Sequence, residues 1–179
     1  MVGGIILKAS LASSDIQEIR VITRRPLSID HPKLKQVIHS DFSSYAGLEQ
    51  HFQNIDIAFF CIGVYTGQVP DAEFKKITVD YSNAFGDAVK KNSTNATLCL
   101  LSGQGADPKE KSRVAFARYK GIAENYLKSL DFKALYIFRP GYIYPVEKRT
   151  EPNFTYRLSR RLYPLMKKVY AKGLSLIHI

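Results

Sequence analysis

Residues 96–107 read "ATLCLLSGQGAD", and this stretch decides the fold class. The apolar run has no polar alternation, as in a strand buried within a parallel sheet, and it ends at Ser102 in a turn containing two glycines. Residues 113–130 follow with a helical pattern, and "KALYIFRPGYIYP" then returns to strand character until Arg139, Pro140 and Gly141 stop it. Strand, turn, helix, strand is a unit that pairs its strands in parallel through a right-handed crossover.

The same alternation extends upstream. "GGIILKASLASS" opens as a helix, "IQEIRVITRRP" is a β-branched run bounded by Pro26, and "LKQVIHSDF" is another strand. "SSYAGLEQHFQN" has apolar residues at helical spacing, and "IDIAFFCIGV" is a continuous apolar run of the kind expected from a strand buried on both faces. From 71 to 91, Phe74, Ile77, Tyr81 and Phe85 mark one helical face. The expectation is an α/β protein with a doubly wound parallel sheet. Ligands in such sheets bind at the strands' carboxyl ends. Those ends read "TRRP" (Thr23, Arg24, Arg25), "SDF" (Asp41, Phe42), "CIGV" (Cys61, Ile62, Gly63), "SGQGAD" (from Ser102) and "RPGY" (Pro140, Gly141, Tyr142).

Composition narrows the function classes. A chain of 179 residues, 45% hydrophobic and 23% charged, can bury one substantial core, and its length favours a single domain. It has no apolar run near the 18 or so residues of a membrane span and no secretory signal pattern, so a cytoplasmic protein is expected. Cys61 and Cys99 sit in apolar runs and read as reduced thiols, and the four histidines lack metal spacing. The net charge of +10 fits an anionic ligand such as a phosphate-rich cofactor, an anionic membrane or nucleic acid; no basic-aromatic nucleic-acid motif appears. Residues 156–170, from Tyr156 to Tyr170, place Leu158, Leu162, Leu165, Met166 and Val169 on one helical face among cations, with Pro164 as a kink. That stripe either packs on the protein or touches a membrane surface.

"FARYKGIAE" (116–124) carries the chemical question. A tyrosine four residues before Lys120 would share its helical face, but that position is Phe116. Tyr119 lies roughly 100° round the helix from Lys120.

In this order, "RR" after one strand, "D-F", "C-x-G", "S-x-x-G-A-D", "K-G-x-x-E" and "F-R-P-G" resemble the atypical NAD(P)-binding branch of the short-chain dehydrogenase/reductase superfamily, near its NmrA-like and Tat-interacting-protein-like oxidoreductases. The resemblance implies a Rossmann sheet over residues 1–150, incomplete because its first, central strand and two glycines of a G-x-x-G-x-x-G turn are absent. Gly3 would be the third glycine and Met1 an internal residue. Residues 151–173 would begin a C-terminal helical or substrate region. Residues 174–179, "LSLIHI", match the read-through of a transposase mosaic end from sequencing libraries, against an ordinary apolar tail.

The resemblance also implies site roles. Arg24 and Arg25 stand where NAD-specific relatives use an acidic residue, which favours NADP over NAD; two solvated arginines are the plain alternative. Asp41 and Phe42 would lie beside the adenine, unless Asp41 merely caps the next helix. Gly63 would allow close approach to a ribose or simply serve a turn. Ser102 would sit beside a substrate carbonyl, or bond its own loop. Lys120 would hold the nicotinamide ribose, or be a solvated helix lysine. With Phe116 in the tyrosine slot, the implied function is an NAD(P)-dependent oxidoreductase with reduced or unconventional catalysis on an unknown small-molecule substrate. A non-catalytic NADP(H) sensor and a sugar-nucleotide epimerase or dehydratase relative are the alternatives.

Overall fold

The computed structural model describes residues 2–144 and 176–178. Helix α1 (Val2–Ala12) leads into the parallel pair β1 (Ile19–Thr23) and β2 (Leu34–Ile38), in register from Ile19 opposite Leu34 to Thr23 opposite Ile38. A second parallel sheet is ordered β3 (Ile57–Phe60), β4 (Thr97–Leu101), β5 (Ala134–Phe138). Helices α2 (Asp71–Lys75) and α3 (Tyr81–Asn92) are joined by a π turn at Lys76–Asp80 and connect β3 to β4. Helix α4 (Ala115–Ser129) connects β4 to β5. Short β6 (Tyr142–Tyr144) pairs in parallel with β7 (Leu176–His178). β1 and β3 are not paired with each other, so each leaves a ladder edge without a strand partner among the described residues.

One core joins the two main sheets. Ala58, Phe60, Leu98 and Leu100 point from β3 and β4 toward Val89 of α3 and Leu127 of α4, and Ile22 of β1 packs on the same cluster. Phe42, Tyr45, Phe52 and Phe85 close it with edge-on ring contacts, among them Tyr45–Phe52 at 5.1 Å. Gly86 permits α3 to meet α4: a Cβ there would stand 2.3 Å from Leu127 Cδ2.

Two expectations change, and one arginine finds a structural role. The run at β3 is buried on one face only, because Ile57 is 56% and Phe59 44% exposed while Ala58 and Phe60 point into the core. The segment "SSYAGLEQHFQN" forms only a short 3-10 helix, Glu49–Phe52, and is anchored to the core by two buried aromatics, Tyr45 and Phe52. Among the three arginines around β1, Arg20 is structural, since its Nε bonds Glu18 at 2.6 Å and its Nη1 donates to the Gln53 carbonyl at 2.7 Å. The amphipathic stripe at 156–170 and the start of the C-terminal region lie outside the described residues.

Candidate functional site

The carboxyl ends of β3, β4 and β5 lie side by side because the three strands are parallel and in register, and the elements around them fix each side chain. At the end of β4 the Ser102 N–H donates to the Phe138 carbonyl at 2.8 Å, and Gln104 N–H to the Pro140 carbonyl at 3.0 Å, which ties the glycine-rich turn to the "FRPG" segment. The Ser102 hydroxyl donates to Glu124 Oε1 at 2.5 Å. Glu124 has no exposed surface, and Arg139 reaches it with two nitrogens, Nε at 2.9 Å and Nη2. One carboxylate thus links the ends of β4 and β5 to α4. Burial pushes the Glu124 carboxyl up, but the bonds from Arg139 and Ser102 outweigh it and leave the group below its ordinary value.

Lys120, one turn before Glu124, is half-buried, and its Nζ donates to the Leu101 carbonyl at 3.3 Å. Burial pushes the ammonium down to about 8, with the Glu124 charge pulling the other way. Phe116 packs over the turn: a Cβ on Gly103 would stand 2.4 Å from its Cζ. Tyr119 faces elsewhere, with its hydroxyl on Asp71 Oδ2 at 2.6 Å and its ring against Phe74.

The turn itself is held by a residue whose role the sequence did not reveal. Asp107 accepts backbone N–H bonds from Lys109, Lys111 and Ser112 at 2.7–2.9 Å, which hold its carboxyl below the ordinary value. The Asp107 N–H donates to the Ala117 carbonyl at 2.9 Å, docking the loop on α4. A signal was present, since Asp followed by a polar loop is a common side-chain-to-backbone cap.

The other strand ends divide. Arg24 and Arg25 are exposed just past β1, and Thr23 Oγ1 donates to the Arg25 carbonyl at 3.1 Å. Asp41 accepts from the Ser43 N–H at 3.1 Å and from the Ser43 hydroxyl, while Phe42 is buried in the core. Cys61 and Ile62 are half-buried, and the Cβ direction of Gly63 is open, with no atom within 4 Å. Gly3, in the first turn of α1, lies against this end: its Cβ position is 3.5 Å from Cys61 Cβ. Pro140 is buried and Gly141 exposed; Tyr142 is placed by its backbone in β6. Both cysteines are free thiols, and no group of three metal-ligating side chains occurs among the described residues.

No family model matches the chain. It is 25% identical over 173 residues to "Protein HTATIP2" of Rattus norvegicus, covering 96% of this chain and 69% of that protein. It is 26% identical over 143 residues to "Protein FMP52, mitochondrial" of Debaryomyces hansenii, covering 79% of this chain and 62% of that one. The chain therefore spans about two thirds of the length of these relatives. The crystal structure of the Bordetella bronchiseptica enzyme WbmG in complex with NAD superposes with a TM-score of 0.64 at 15% identity, over 94% of this chain and 57% of that one. With its parallel strand order and its superposition on WbmG, the chain has a Rossmann-type α/β fold, and its sequence is similar to those of HTATIP2 and FMP52.

Proposed function

We propose that the chain binds a nicotinamide dinucleotide across the carboxyl ends of its strands, prefers NADP to NAD, and is an oxidoreductase-type protein with Phe116 where its family's catalytic tyrosine stands. The observation that carries this reading is the meeting of α1's first turn with the end of β3 at Gly3 and Cys61. Backbone N–H groups at such a helix start suit a pyrophosphate. The open side of Gly63 leaves room for a ribose, and exposed Arg24 and Arg25 suit a 2′-phosphate. Asp41 fits less well as an adenine partner, because Ser43 already engages its carboxylate. When bound, the dinucleotide would supply hydride transfer; Lys120 would hold its ribose and Ser102 would line the substrate side. WbmG, crystallised with NAD, supports the choice of cofactor class but not the preference for NADP.

A second reading, a non-catalytic NADP(H) sensor, is favoured by one feature: Phe116 has no proton and Tyr119 is bonded to Asp71. Turnover separates the two. The cofactor assignment is tested by NADPH and NADH titration, read by nicotinamide fluorescence. Two guanidinium groups on the added phosphate should favour NADPH about ten- to a hundred-fold. Arg24→Ala with Arg25→Ala should remove that preference, and equal affinities in the unaltered chain would defeat it. A cytoplasmic location is our reading, although the fungal relative carries "mitochondrial" in its name; fractionation decides it. No helix among the described residues is long and apolar enough to cross a membrane.

A further inference from the structure

We infer that Lys120 is the proton donor to a substrate oxygen at the carboxyl end of β4, an inference that rests on the oxidoreductase reading above. The geometry removes the neighbouring competitors on α4 and at the ends of β3, β4 and β5 one at a time. The hydroxyl proton of Ser102 is directed to Glu124 at 2.5 Å, so toward a ligand this oxygen can only accept. Phe116, over Gly103, carries no proton, and the Tyr119 proton lies on Asp71. Both of the Arg139 groups aimed inward are on Glu124. The Cys61 thiol, pushed up to about 11 by burial, is a weaker acid than the lysine. Lys120 uses one N–H on Leu101, and an ammonium has three. Two therefore remain for a ligand at the strand end.

The step balances. A carbonyl carbon accepts hydride from a reduced nicotinamide, the π pair moves to oxygen, and that oxygen takes a proton from the Lys120 ammonium. The products are an alcohol, an oxidised nicotinamide and a neutral amine that solvent reprotonates. An ammonium titrating near 8 suits general acid catalysis close to working pH. The charge that acts on it is Glu124 on the same helix, which is itself bonded by Arg139 just past β5; Cys61, just past β3, is a free thiol, and Lys76 and Asp80 on the π turn are exposed. Of these, Glu124 holds the ammonium up against the downward push of burial.

The test uses the full chain, NADPH and a nitrobenzaldehyde as carbonyl probe, with lysine Cε signals followed by NMR in parallel. Turnover should fall as pH rises past about 8, at the pH where one lysine signal titrates, and that signal should vanish in Lys120→Arg. Lys120→Arg keeps the charge but does not release its proton, so NADPH should still bind while turnover drops about a hundred-fold. Glu124→Gln should move the kinetic limb and the NMR titration to lower pH together. The inference is overturned if NADPH binds without turnover, if Lys120→Arg keeps its rate, or if turnover is abolished instead by Tyr65→Phe, in the loop between β3 and α2, or by Tyr142→Phe, in β6. Failure of NADPH to bind at all defeats the oxidoreductase reading first, and this inference with it.

Discussion

Glu124 is a carboxylate with no exposed surface, and its ionisation depends on Arg139 and Ser102. Because its folded-state value lies below the ordinary carboxyl value of 4.5, it stabilises the fold above that pH. The contribution is lost as pH falls through the lowered value. Thermal melting across the acid range should show that loss in the unaltered protein and a flatter profile in Glu124→Gln; identical profiles would remove Glu124 from the account. Arg139→Ala at neutral pH should cost roughly 2 kcal/mol, less than the about 3–5 kcal/mol of a fully buried broken pair, because the Arg139 side chain is 41% exposed. Ser102, Lys120 and Phe116 were legible as a group, since their spacing resembles a family pattern. The bond of Ser102 to Glu124 was not, because residues 22 positions apart meet only through the strand–helix crossover. Tyr119 and Asp71, 48 positions apart, are a still longer case.

At the scale of elements, "K-G-x-x-E" acquires a packing reason. A Cβ on Gly121 would stand 1.8 Å from the Asp107 carbonyl oxygen, so the glycine is what lets the "SGQGAD" loop lie on α4. Backbone cannot yield as a side-chain tip can. Gly121→Ala should therefore destabilise by about 1–3 kcal/mol, despite the roughly 1 kcal/mol that alanine gains inside a helix. Gly4 in α1, whose Cβ direction is open, is the control: Gly4→Ala should be neutral or stabilising by up to about 1 kcal/mol. Chemical denaturation of both variants checks the pair, and equal effects would discredit the close approach. The three-residue strands β6 and β7 were not foreseen, but β1 to β5 were legible, because β-branched and apolar runs bounded by Gly, Pro and Asp are local signals. The π turn at Lys76–Asp80 was not. Ile77, Thr78 and Val79 are buried within it, and the Ser82 hydroxyl donates to the Thr78 and Val79 carbonyls at 2.9 Å.

At the scale of the molecule, the two faces of the β3–β4–β5 sheet are unequal. The inner face is the core, whereas the outer one shows Ile57, Phe59, Tyr136 and Phe138 at 44–57% exposure. Helix α1 covers part of it, leaving an apolar cavity of about 230 Å³ lined by Val2, Ile6, Phe59, Cys61, Cys99, Leu101 and Phe138. Apolar periodicity could not report this asymmetry, since an unbroken apolar run reads the same whether one face or both are covered. Contiguous exposed apolar surface drives association, and the unpaired edges of β1 and β3 offer ladder groups to a neighbouring chain. The chain should therefore self-associate as its concentration rises. Two charges placed on the exposed face should oppose this without touching the core: Ile57 and Tyr136, replaced together by Ile57→Lys and Tyr136→Lys, are 56–57% exposed and are not among the residues that line the cavity. Sedimentation over a range of concentrations should show a lower average mass for the double variant at equal loading. If the mass is unchanged, the strand edges rather than the apolar face hold the copies together, and a charge on the edge of β3 becomes the change that separates them.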